Sequence, residues 1–178
     1  MSDPKTLLAA GHAARREHRP AEAREQFEQA AECARTADNQ PLLAQALKGL
    51  GQIERDEKNL DAALILYEQA AAIHRSLDER MALAHTVRHV ADILRGQKNY
   101  EQAASRYEEA LAIYRRNGQT PALELANAIR GQALLKGDLG QAEEATYLWY
   151  EARHLYETAG ASAGVAESES HIAFLLGR

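Results

Sequence analysis

Residues that staple, kink or stiffen a chain are scarce in this sequence. It has one cysteine, four prolines, one tryptophan and two phenylalanines in 178 residues. A lone Cys33 rules out an internal disulfide and fits a reducing compartment. No run rich in proline, glycine or serine divides the chain, so one continuous body over 1–178 is expected. Aromatic residues make up 6%, and strand-type runs of Val, Ile and aromatics do not occur, which points away from β-structure. No apolar run is long enough to span a membrane, and no basic segment leads into an apolar one as a signal peptide requires, so a cytoplasmic location is expected. Also missing are a glycine-rich phosphate loop, a GxSxG elbow and a CxxC pair. Neither catalysis nor a cofactor is therefore expected.

What the sequence does have is alanine, and repetition. Hydrophobic residues account for 46% of the chain, much of it alanine, a composition that favours helices. The string KNLDAALILYEQAAAIHR from Lys58 aligns without a gap on KNYEQAASRYEEALAIYR from Lys98. One step back along the chain lies RPAEAREQFEQAAECAR from Arg19, and one step forward AEEATYLWYEARHLY from Ala142. Looking for such self-similarity first matters, because an array of hairpins follows different packing rules from a globular core.

Each copy contains two helical patterns. The first carries Leu7, Leu47, Val87 and Ile129 in register, with Leu50-Gly51 and Val90-Ala91 three and four residues on. The second carries Ala23, Ala63, Ala103 and Ala145, then Phe27, Tyr67, Tyr107 and Trp149, then Ala30, Ala70, Ala110 and Ala152. Spacings of three, four and seven place each set on one helical stripe. The small residues let two helices approach closely, and the aromatic fills the space between neighbouring hairpins. Expected helices cover 5–17, 20–36, 41–56, 60–77, 80–95, 100–116, 121–136, 140–158 and 162–176. Pro20 and Pro41 sit at helix starts, Asn39 and Asn117-Gly118 after helix ends, and Pro121 opens the fourth copy. Gln132 and Lys136 stand where apolar residues are expected, which predicts looser packing of the fourth first helix. The last helix mixes Glu167, Ser168, Glu169 and Ser170 with Ile172, Ala173, Leu175 and Leu176 and is expected to cap the array with a polar side.

These positions resemble the tetratricopeptide repeat, in the longer-helix variety with a period of about 40–42 residues found in kinesin light chains and bacterial regulators. The resemblance implies an all-α, right-handed superhelical solenoid of four hairpins (5–38, 41–79, 80–119 and 120–160) closed by a capping helix over 161–176. It also implies a protein-interaction scaffold whose first helices line a concave groove and whose second helices form the outside.

Sorted on that basis, the first helices carry net positive charge and the second helices net negative charge. Lys48, Arg88 and Arg130 occupy one row of the expected groove, and Arg15, Arg55 and Arg95 another. Gln45, His85 and Asn127 stand beside them, as do His12, Gln52 and Asp92. Together with His89, these residues form the candidate peptide-binding groove. Rows of cations suit an extended acidic peptide or a C-terminal carboxylate, which guanidinium groups grip through paired hydrogen bonds. The pattern is similar in part to the two-carboxylate clamp of chaperone-binding members of the family. Lys48 fits its first lysine, while Gln52 stands in place of its asparagine, and His85 and His89 in place of its later basic pair. The expected partner is therefore an acidic protein or peptide, with neither nucleic acid nor membrane. An oligomeric assembly module that self-associates through the solenoid ends or the convex face is the alternative.

Other residues receive structural readings. Cys33 is in register with Ile73, Ile113 and Leu155 and is expected to be a buried thiol; Trp149 shares the interlocking aromatic row. His85, His89 and Asp92 fall on one helical face as a metal triad would, but with no further ligand to complete a zinc site they are assigned to the groove and no metal is expected.

Overall fold

The computed structural model describes residues 3–177; Met1, Ser2 and Arg178, the ends of the expected single domain, lie outside the described residues. Within them the chain forms nine helices and no strand: α1 (Pro4–Arg16), α2 (Pro20–Thr36), α3 (Gln40–Asp56), α4 (Leu60–Ser76), α5 (Arg80–Gly96), α6 (Tyr100–Arg116), α7 (Ala122–Asp138), α8 (Ala142–Thr158) and α9 (Ser162–Leu175). Helices fall within two residues of where hydrophobic periodicity places them.

The beat of the array is set at the connections. His18, Asp38, Lys58, Asp78, Lys98, Gly140 and Gly160 all adopt positive φ, between 49° and 73°. A left-handed residue just past a helix turns the chain back so that the next amide reaches the carbonyl five residues earlier. Thus Asn39 N donates to Ala34 O at 2.8 Å, Asn59 N to Glu54 O at 2.8 Å and Asn99 N to Leu94 O at 2.9 Å. Asn39 then caps α3 by accepting from Leu42 N at 3.2 Å. The connection at 117–121 is built differently, with Thr120 Oγ1 donating to Tyr114 O at 2.7 Å and Gln119 N to Asn117 Oδ1 at 3.2 Å. Its two extra residues account for the step from a period of 40 to one of 42.

Contacts divide the chain into two compact units, Met1–Thr86 and Val87–Arg178. In the first, the ring of Phe27 is fully buried among Leu7, Leu8, Leu42, Leu50 and Ile53, with Ala23, Ala30 and Ala34 closing the cluster. Burying such a ring contributes about 1.5–3 kcal/mol. Cys33 packs on this cluster but is only half-buried, because its row, shared with Ile73 and Leu155, runs along the rim of each second helix.

In the second unit Tyr107, Tyr114, Trp149, Ile129 and Leu135 are fully buried. Gln132 and Lys136 leave a hollow of about 440 Å³ between α7 and α8, bordered by Glu143, Glu144, Tyr147 and Leu148, and Lys136 Nζ reaches Glu144 Oε2 at 2.6 Å. The missing apolar side chains thus appear as a hollow, while Ile129, Ala133 and Leu135 still close the core. Helix α9 continues the register of α7 at an offset of 40: Trp149 stacks on His171, ring centroids 4.2 Å apart and planes within 5°. Its inner side buries Ser168 and Ile172. The outer side is less polar than expected of a cap, since Phe174 is 80% exposed and Leu176 is exposed as well.

Candidate interaction surface

The predicted groove residues lie on α1, α3, α5 and α7, and all five arginines among them are already engaged. In the first unit, Arg15 reaches from α1 to α3 and donates from Nε (3.0 Å) and Nη2 (2.6 Å) to Asp56 Oδ2, while Arg55 Nη2 donates to Asp56 Oδ1 at 3.1 Å. Burial alone would raise the Asp56 carboxyl, but the two guanidinium groups outweigh it and hold the group below its ordinary value. His12 sets its ring edge-on to Phe27 at 5.0 Å. Its burial, and then the charges of Lys48, Arg16 and Arg15, push the imidazole below its ordinary value and favour the neutral form. Gln45 and Lys48 border a hollow of about 580 Å³ shared with His74, Glu79 and Arg80, and Gln52 is half-buried beside them on α3. His85, near the end of this unit, is half-buried on α5.

The second unit holds a denser network. Arg88 is buried, not displayed: Nη1 donates to Asp92 Oδ2 at 3.1 Å and Nη2 meets His89 Nε2 at 3.1 Å. Because a guanidinium only donates, His89 Nε2 accepts, which fixes its hydrogen on Nδ1, 3.6 Å from Asp92. His89 is buried too, at the position in register with Gly49 and Gly131. Tyr107 Oη donates to Asp92 Oδ1 at 2.7 Å. Burial would raise Asp92, yet His89, Arg88 and Tyr107 together lower it; burial and the Asp92 charge raise Tyr107. Arg95 Nη1 donates to Asp138 Oδ2 at 2.8 Å, and Arg130 forks onto Glu167 of α9 at 2.7 and 2.6 Å. Asn127 accepts from Tyr156 Oη at 2.9 Å. The Nε groups of Arg88 and Arg95 remain buried donors with no acceptor.

The arginine rows are legible in the sequence, and the groups that meet them are less so. Asp56 and Asp138 lie two repeats apart in the same register and take the arginine of the preceding hairpin, a signal readable from the alignment. A further row, His74, Tyr114 and Tyr156, comes from the last turns of the second helices. The first two meet a side chain at or near the start of the next first helix, His74 Nδ1 lying 2.7 Å from Glu79 and Tyr114 Oη donating to Glu124 at 3.4 Å, whereas Tyr156 donates back to Asn127 on α7 of its own hairpin. Among the described residues no group of three or more His, Cys, Asp or Glu side chains could hold a metal ion, and no helix is long and apolar enough to cross a membrane.

Stacked hairpins with an aromatic interlock and polar rows on the first helices define a helical-repeat interaction scaffold. The tetratricopeptide-repeat family model matches residues 4–76, and a second model of the same description matches 83–117. The chain belongs to the tetratricopeptide-repeat proteins, a family that supports protein-interaction scaffolding in general. No curated protein sequence matches it. Among solved structures it is similar to BtubC from P. vanneervenii, at 17% identity over 98% of this chain and 81% of that one, with a TM-score of 0.74. Repeats of a putative kinesin light chain from Podosopora anserina match at 15% identity over 99% and 97% of the two chains, with a TM-score of 0.70. Aspartyl phosphate phosphatase F from Bacillus subtilis matches at 15% identity and a TM-score of 0.88; 99% of this chain spans 47% of that protein. Identities this low establish the solenoid fold alone.

Proposed function

We propose that the protein is an adaptor whose first-helix rows hold an extended, acidic segment of a partner protein. The observation that carries this reading is the set of partly exposed guanidinium groups, Arg15 and Arg55 in the first unit and Arg95 and Arg130 in the second, each held on an internal carboxylate yet still open to solvent. A guanidinium carries five N–H donors, so carboxylate or carbonyl oxygens from a partner can add to the internal pairs. The internal ion pairs refine this role. Asp56, Asp138 and Glu167 hold the cations in place before binding, so the partner adds acceptors to fixed guanidinium groups. Lys48, bordering the hollow with Gln45, supplies a charge in the first unit.

The test begins with a pull-down from native cytosol and identification of the bound protein. Its affinity is then measured by titration calorimetry against Lys48→Ala and Arg95→Ala, with circular dichroism checking the fold. Each substitution should weaken binding about tenfold, and rising salt should slow association. Affinity unchanged in both variants and insensitive to salt would mean that the partner is not held by these rows.

A further inference from the structure

We infer that the outer face of α9, with the adjoining edge of α8, is a two-fold interface at which a second copy of this chain docks. The repeat itself shows what such a face ordinarily carries. On α7, the first helix one repeat earlier, which packs against α8, Ile129 and Ala133 are fully buried. The corresponding residues of α9 are Glu169 and Ala173, exposed and half-exposed, and no helix covers them among the described residues.

This face has the composition of a contact surface. Ala166, Glu169, Ser170 and Ala173 run along its middle at helical spacing, with Phe174 on one flank and Leu176 on the other. Between α8 and α9 lies a groove of about 220 Å³ bordered by Tyr150, Arg153, Glu169, Ile172, Ala173 and Leu176. Tyr150 on α8, at the edge of this groove, is exposed as well. Large apolar side chains gathered on one exposed face mark an association site.

Charge selects the occupant. Arg153 and Glu169 face the same groove from opposite walls, so the patch carries both signs. The Arg153 guanidinium lies over the Tyr150 ring at 5.4 Å, and its Nε is 3.5 Å from Glu157 without donating a hydrogen bond. A partner of a single sign would be repelled by one of the two groups. A second copy related by a two-fold axis sets Arg153 against Glu169 in both directions and Phe174 and Leu176 against apolar groups, as isologous interfaces do. A head-to-tail contact has no such match, because α1 and α2 expose no large hydrophobic side chain and α1 offers Lys5 and Arg16.

The experiment is analytical ultracentrifugation of the full chain over a wide concentration range. A reversible species of twice the 19.6 kDa chain mass is expected. Phe174→Asp should abolish it without altering the circular dichroism. Glu169→Arg and Arg153→Glu should each weaken it about tenfold, and the two combined should restore it, because each charge meets the other across the axis. Ile65→Asp, at an exposed apolar position of the first unit, should leave the dimer unchanged. A monomer at all concentrations would overturn the inference. So would masses that grow without limit, a dimer that survives Phe174→Asp, or the absence of rescue in the charge swap.

Discussion

The Phe27 ring occupies the space that a side chain at Gly49 would need: a Cβ built on Gly49 would lie 2.6 Å from Phe27 Cε1. The same relation joins Gly131 to Tyr107, at 2.4 Å. In both, the aromatic of a second helix presses on the backbone of the next first helix, which holds consecutive hairpins at their spacing. Gly49→Ala and Gly131→Ala should therefore destabilise the protein by about 1–3 kcal/mol in denaturant titration, although alanine is the better helix former. A gain in stability in both variants would refute the interlock.

Left-handed residues at the turns suggest the opposite kind of change. Lys58 and Lys98 hold φ at 66° and 63°, where a Cβ crowds the backbone. Lys58→Gly and Lys98→Gly should each raise stability by up to about 1 kcal/mol, since relief of that crowding exceeds the added freedom of glycine in the unfolded chain. Chemical denaturation reads this directly, and a loss of stability in both would show that the lysine side chains matter more than the backbone.

Acid should act in two stages. His12 titrates below its ordinary 6.5 in the folded protein, so the unfolded chain takes up a proton first and stability declines as the pH falls below about 6.5. Arg130 holds Glu167 below its ordinary 4.5, and Arg24 does the same for Glu54. Their contribution is present above pH 4.5 and fades as the pH falls through the lowered folded values. Melting temperatures measured from pH 7 to 3 should show both declines. His12→Asn should flatten the first and Glu167→Gln the second; a profile unchanged in both variants would contradict these assignments.

The sequence by itself determined the helices, their number and their repeat, because both the 3.6-residue stripe and the 40-residue period are local and additive. It also located the arginine rows and the aromatic row, since register recurs with the period of the repeat. It did not reveal that Arg88 and His89 are buried, that Asp56, Asp138 and Glu167 neutralise their neighbours, or that α9 leaves Phe174 in solvent. Those outcomes depend on which side chains from different helices come within about 3 Å, the distance at which a hydrogen bond forms. Residues 41 or 37 positions apart, such as Arg15 with Asp56 or Arg130 with Glu167, meet only once the hairpins are stacked. Helical phase gives each charge a face; only the packing of one hairpin on the next gives it a partner.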